Sequence, residues 1–150
     1  VAVDLRLILA AQKINNDLER IGDHAVNIAE SARSLLRIQP PGPLLEIPRM
    51  AELAQAMLRS AFDGFIHRDA GLGRSVLEQD DRIDELNRNM TGEVIELMRT
   101  DQKSIEKGME LIRVSRNLER VADLATNIAE EVIFIAQARI VKHHGRTGSP

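Results

Sequence analysis

No cysteine, tryptophan or tyrosine occurs in this 150-residue chain, and its aromatic complement is three phenylalanines. The first absence removes disulfides, thiolate metal sites and cysteine nucleophiles from the available chemistry. The scarcity of aromatics, beside 43% hydrophobic and 29% charged residues drawn mostly from Ala, Leu, Ile, Glu and Arg, leaves few strand formers and points to helices. No stretch reaches the roughly 18 to 20 consecutive apolar residues of a membrane-spanning helix. The opening VAVDLRLILAAQK carries an acid and has neither a basic leader nor a cleavage site, so the expected location is the cytoplasm. A formal charge of -3 with acids and bases interspersed leaves no basic stripe for a phosphate backbone, which excludes nucleic acid as a partner. A phosphate-cradling glycine loop and a Ser/His/Asp arrangement are also missing. So are the Glu-x-x-His pairs of a di-iron bundle, because Ile21 and Gly64 stand three residues before His24 and His67. His24 is expected to be a partly exposed helix residue rather than a ligand.

What is present is helical periodicity. From Asp4, a candidate N-cap, to about Ile38 the apolar positions are Ala11, Ile14, Leu18, Ile21, Ala25, Ile28, Ala32 and Leu35, in alternating steps of three and four. QPPGPLLEIP, residues 39 to 48, interrupts this with four prolines and a glycine and reads as a stiff linker. A second helix is expected from about Arg49 to His67, and a third, after an Asp69 cap, from Leu72 to Met98 on a Val76, Ile83, Met90, Leu97 repeat. Thr100 or Asp101 caps the last helix, whose seam is Leu111, Val114, Leu118, Val121, Ala125, Ile128, Val132 and Ile135. Each member of that seam lies one hundred residues after a member of the first.

The periodicity is therefore a repeat. LERIGDHAVNIAE, starting at Leu18, returns as LERVADLATNIAE, starting at Leu118; Leu18, Glu19, Arg20, Asp23, Ala25, Asn27, Ile28, Ala29 and Glu30 all recur unchanged. Such a repeat implies one supersecondary unit used twice. Residues 49–144 read as a complete three-helix unit and residues 1–38 as only the last helix of another, with 145–150 a flexible tail. The chain starts at Val1 with a helix already under way, which gives the expectation of a fragment or of residues removed. Gly22, where the second copy has Ala122, suggests a close helix approach.

The acids carry the candidate chemistry. On the last helix Arg116, Glu119, Asp123, Asn127 and Glu130 form one polar stripe away from the seam. On the preceding helix EQDDRIDELN sets Asp80 and Asp84 four apart, with Asp81 and Glu85 one step round. An antiparallel turn near residues 100 and 101 puts Asp80 beside Val121 and Asp84 beside Asn117. Asp80, Asp84, Glu119 and Asp123 then stand at one height, a self-repelling group that a multivalent cation would neutralise. Oxygen ligands select Mg, Mn, Fe or Ca, with Zn also possible. The same spacing fits a solvated face with local Glu–Arg pairs.

At these residues the chain resembles the PhoU family, accessory proteins of bacterial phosphate-specific transport. LERIGDHAVNIAE and LERVADLATNIAE match the E(D)-x-x-x-D helices that end its two three-helix repeats, and DDRID the acidic motif of the second repeat's middle helix. The resemblance implies an all-α fold, a three-helix bundle preceded by the long final helix of a truncated first repeat. It adds Glu19 and Asp23 as ligands of a first metal cluster, though without the first two helices they lack companion acids. It also implies bound Fe, Zn, Mn or Mg, a homodimer, and a non-enzymatic regulator that restrains phosphate uptake and starvation signalling. Its partners would be the phosphate transporter ATPase and a sensor histidine kinase, and it would meet the membrane only through them. A metal-dependent helical enzyme acting on phosphorylated substrates, and a plain helical scaffold without metal, are the alternatives.

Overall fold

The structure, a computed structural model, describes the backbone of residues 2–38 and 43–144 and the side chains of residues 5–38 and 43–137. Among the described residues five α-helices run in order: α1 (Ala2–Arg37), α2 (Ile47–His67), α3 (Ala70–Leu77), α4 (Asp80–Thr100) and α5 (Ile105–His144), with one 3-10 turn, Gln102–Ser104, before the last. No strand occurs among the described residues, and none of their helices is long and apolar enough to cross a membrane. Residues 39–42 of the expected linker and the 145–150 tail lie outside the described residues. Ile47 and Pro48, read as linker, already belong to α2, where the proline occupies the first turn that tolerates it.

The chain turns where its side chains can stand in for backbone partners. Asp69 caps α3 by accepting hydrogen bonds from Gly71 N–H at 2.7 Å and Leu72 N–H at 3.3 Å, and Asp101 accepts from Lys103 N–H at 3.0 Å ahead of α5. α1 is already under way at Ala2, so Asp4 lies within the helix and not at its N-cap position. The helix expected from Leu72 to Met98 is broken at Glu78 and Gln79. There Gln79 N–H bonds Val76 O instead of Ser75 O, and the Gln79 side-chain amide donates to the freed Ser75 carbonyl at 3.1 Å. This substitution tightens the chain by one hydrogen-bond step. Asp80 and Asp81 thereby occupy the first turn of a new helix, where its dipole favours negative charge.

α5 is the centre of the bundle and touches all four other helices. One of its faces meets α2 to α4: Ser115 Oγ donates to Asn87 and Gly73 lies so close that a Cβ there would sit 3.0 Å from Ala129 O. Met50, Met57, Val76, Ile83, Met90 and Leu111 are fully buried in this layer, each large side chain contributing about 1.5–3 kcal/mol. The other face carries α1, antiparallel, with Lys13 on Glu131, His24 on Asn117 and Glu30 on Arg113.

The expected α5 seam is buried throughout, from Leu111 to Ile135. The α1 seam is not. Ile14 and Ile21 are buried and Ile28 and Leu35 pack on the core, but Ala11, Leu18, Ala25 and Ala32 are exposed. Their places toward α5 are taken by Ala10, Asp17, His24 and Ser31, all buried or half-buried. Hydrophobicity placed one edge of the seam on the core and the other in solvent, because the true contact face is partly polar. Gly22 lies on the exposed flank with nothing within 4 Å of the position a Cβ would take, so the expected close approach is absent among the described residues.

Candidate metal centre

Asp80 and Asp84 sit one turn apart on α4, and Asp123 faces them from α5. Asn87, a turn beyond Asp84, fixes the register between the two helices: it accepts from Ser115 Oγ and donates to Glu119 Oε2 at 3.2 Å. Asp80 is consequently drawn level with Asp123 rather than with Val121. One oxygen from each of Asp80, Asp84 and Asp123 lies within 4.8 Å of the others, and this is the only such group of three or more potential ligand residues among the described residues. Oxygens around one hard cation are spaced by up to twice the metal–oxygen distance, roughly 4 to 5 Å, so the three fit a single ion without rearranging the helices.

The site is electrostatically unfinished. Asp80 Oδ1 is closed off from solvent and has no hydrogen-bond partner. Burial, and then the charges of Asp84 and Asp123, hold the Asp80 carboxyl above its ordinary range. Asp123 is raised by burial and by Asp84 against the opposing pull of Arg120, whose Nη1 stands 3.4 Å from its Oδ2. Glu119 is raised by burial, then by Asp123 and Asp84. It stands outside the triad, tied to Asn87 at its edge. A cation would supply the missing partner of Asp80 and relieve all three, and oxygen-only donors select Mg, Mn, Fe or Ca, with Zn also possible.

Glu19 and Asp23, the counterparts of Glu119 and Asp123, are exposed on α1 and join no cluster among the described residues. Two contacts beside the acids carry no mark of hydrophobic periodicity. Asn87 could have been found, since it continues the 80–84 stripe by one step; the His24–Asn117 hydrogen bond, at 2.8 Å, could not, because it depends on the pairing of α1 with α5.

Fold and site together define an internally repeated, all-helical bundle with an acid triad between two of its helices. The PhoU domain family matches residues 1–32 and 47–132, and the chain belongs to that family. The phosphate-specific transport system accessory protein PhoU homolog of Aquifex aeolicus is 40% identical over 142 residues, covering 95% of this chain and 64% of that protein. That of Pseudomonas putida is 37% identical, covering 96% and 57%. The crystal structure of PhoU from Pseudomonas aeruginosa superposes with a TM-score of 0.88 at 35% identity over 92% of this chain and 66% of that one. The phosphate transport system regulatory protein PhoU from Streptococcus pneumoniae gives 0.80 at 30% identity over 91% and 64%. The chain thus spans about three fifths of the length of the curated relatives it matches.

Proposed function

We propose that this protein is a non-enzymatic regulator of phosphate uptake that works at the cytoplasmic side of the membrane on the phosphate transporter ATPase and a sensor histidine kinase. The names of its relatives, accessory and regulatory proteins of phosphate transport, supply the process. The observation that carries the molecular part is the Asp80, Asp84, Asp123 triad with its unpartnered Asp80 oxygen. A divalent or trivalent ion there would cross-link α4 to α5 and neutralise a face otherwise strongly negative, and Glu119 would support it from the edge. A partner that reads this face therefore meets a different charge in the loaded and unloaded protein. Pull-down of the ATPase by the parent and by Asp80→Asn/Asp123→Asn, each with Mn and with chelator, tests this. Capture should depend on metal in the parent only; equal capture in all four arms would sink it.

A second copy is the proposed cover for the outer face of α1. Ile8, Ala11, Leu18, Ala25, Ala32 and Leu36 lie exposed on one flank, in heptad register about Gly22. Ile8 and Leu36 are equally far from that glycine, so an antiparallel pair about it sets Ile8 of each copy against Leu36 of the other. Sedimentation should find a dimer that Ala25→Glu dissociates. A monomer at every concentration would refute this.

A further inference from the structure

Where α1 crosses α5, a cleft of about 260 Å³ opens beside the acid triad, lined by Arg20, His24, Arg120, Asp123, Thr126 and Asn127 among others. Arg20 and Arg120 are counterparts in the hundred-residue repeat, and antiparallel packing brings both to the same opening. Among the described residues each has one long ion pair, Arg20 with Asp17 at 3.7 Å and Arg120 with Asp123 at 3.4 Å, and both side chains are largely exposed. Most of the five N–H donors of each guanidinium therefore remain for a ligand. The adjoining cleft along the same groove has the opposite balance, with Asp17, Glu130 and Glu131 against Lys13 and Arg20. An anion is drawn to the Arg120 end.

The cleft also offers acceptors, and these select the anion. Asn117 Oδ1 takes a hydrogen bond from Asn27 Nδ2, and Asn117 Nδ2 donates to Arg113 O, so the contact to His24 Nδ1 at 2.8 Å requires that nitrogen to carry the proton. When the ring carries only that one proton, Nε2 is left as an acceptor. Asp123 is a second. Two planar cationic forks beside two acceptors suit an oxyanion that keeps a hydroxyl, and they disfavour one that is fully deprotonated, whose oxygens would face Nε2 and the carboxylate with no proton between them.

We propose that this cleft binds inorganic hydrogen phosphate, with Arg20 and Arg120 donating to its oxygens and His24 or Asp123 accepting its P–OH. The site stands on the cleft alone, so it is tested in chelator, where failure of the metal reading cannot imitate its failure. Calorimetric titration of the full chain with sodium phosphate should give one saturable site per chain, with sulfate at least about tenfold weaker. Arg20→Gln/Arg120→Gln should weaken phosphate about tenfold or more, Lys13→Gln in the neighbouring cleft should leave it unchanged, and His24→Phe should narrow the phosphate-to-sulfate ratio. Circular dichroism of each variant checks folding. Absence of saturable phosphate binding, equal binding of sulfate, or binding indifferent to both arginines would overturn the proposal. Tighter binding of O-phosphoserine than of inorganic phosphate would also overturn it, by making a phosphoryl ester the occupant.

Discussion

The two copies of the repeated helix share nine of the thirteen motif residues and almost none of their surroundings. On α5, Leu118, Ala122 and Ala125 are buried under α2 to α4, and Asp123 completes an acid triad. On α1, Leu18 is 42% exposed, Gly22 meets nothing and Asp23 stands in solvent. Glu-x-x-x-Asp on one helix is therefore only half of an acid cluster. Its other half is a neighbouring helix carrying Asp80 and Asp84 in register, and α1 has no such neighbour among the described residues.

The largest expected effect is on metal affinity. Changes next to a metal site cost 10- to 100-fold, so loss of a ligand in Asp123→Asn should weaken Mn binding by about 100-fold or more, whereas Asp23→Asn should leave it unchanged. Equilibrium dialysis would separate the two, and equal losses would break the comparison. Next in size is the paired truncation of the leucines. Leu118→Ala should cost about 2–5 kcal/mol of stability in urea unfolding, and Leu18→Ala, at concentrations where the chain is monomeric, less than about 1 kcal/mol.

The glycine pair sharpens the same contrast. At concentrations where the chain is monomeric, Gly22→Ala adds a methyl group in open space and lowers the entropy lost on folding, so it should stabilise by about 0.5–1 kcal/mol. Gly73→Ala should destabilise, because its Cβ would fall 2.9 Å from the Ile133 side chain and 3.0 Å from Ala129 O. Thermal melts of both variants are sufficient to compare signs.

The smallest effect is that of pH on the metal-free protein. Folded Asp80, Glu119 and Asp123 hold their protons to higher pH than the unfolded chain does. Their contribution is therefore neutral below the ordinary carboxylate range and becomes destabilising as pH rises through it to the raised values. Glu119→Gln/Asp123→Asn should flatten that decline and melt slightly higher than the parent at neutral pH in chelator. Added Mn should reverse the order, since an ion held only by the folded parent stabilises it by mass action.

Much of this was legible in the sequence. The helical class, the Asp69 and Asp101 caps, the α5 seam and the acids that meet across α4 and α5 all follow from spacing. Three features were not. The break at Gln79 depends on a side chain replacing a backbone donor, which no periodicity records. The α1 contact face contains Asp17 and His24, and a search for apolar residues passes over polar positions that are satisfied only after α5 arrives. Glu119 shares the motif with Asp123 yet stands outside the triad, because Asn87 sets the register about half a turn from the one a simple antiparallel turn suggests.

In the proposed function the doubled motif becomes a metal centre only where α4 supplies the other acids. Crystals grown with Mn and measured for anomalous scattering test it most directly. A peak bounded by Asp80, Asp84 and Asp123, with none at Glu19 and Asp23, is the predicted result; an empty triad, or a peak on α1 alone, would contradict it.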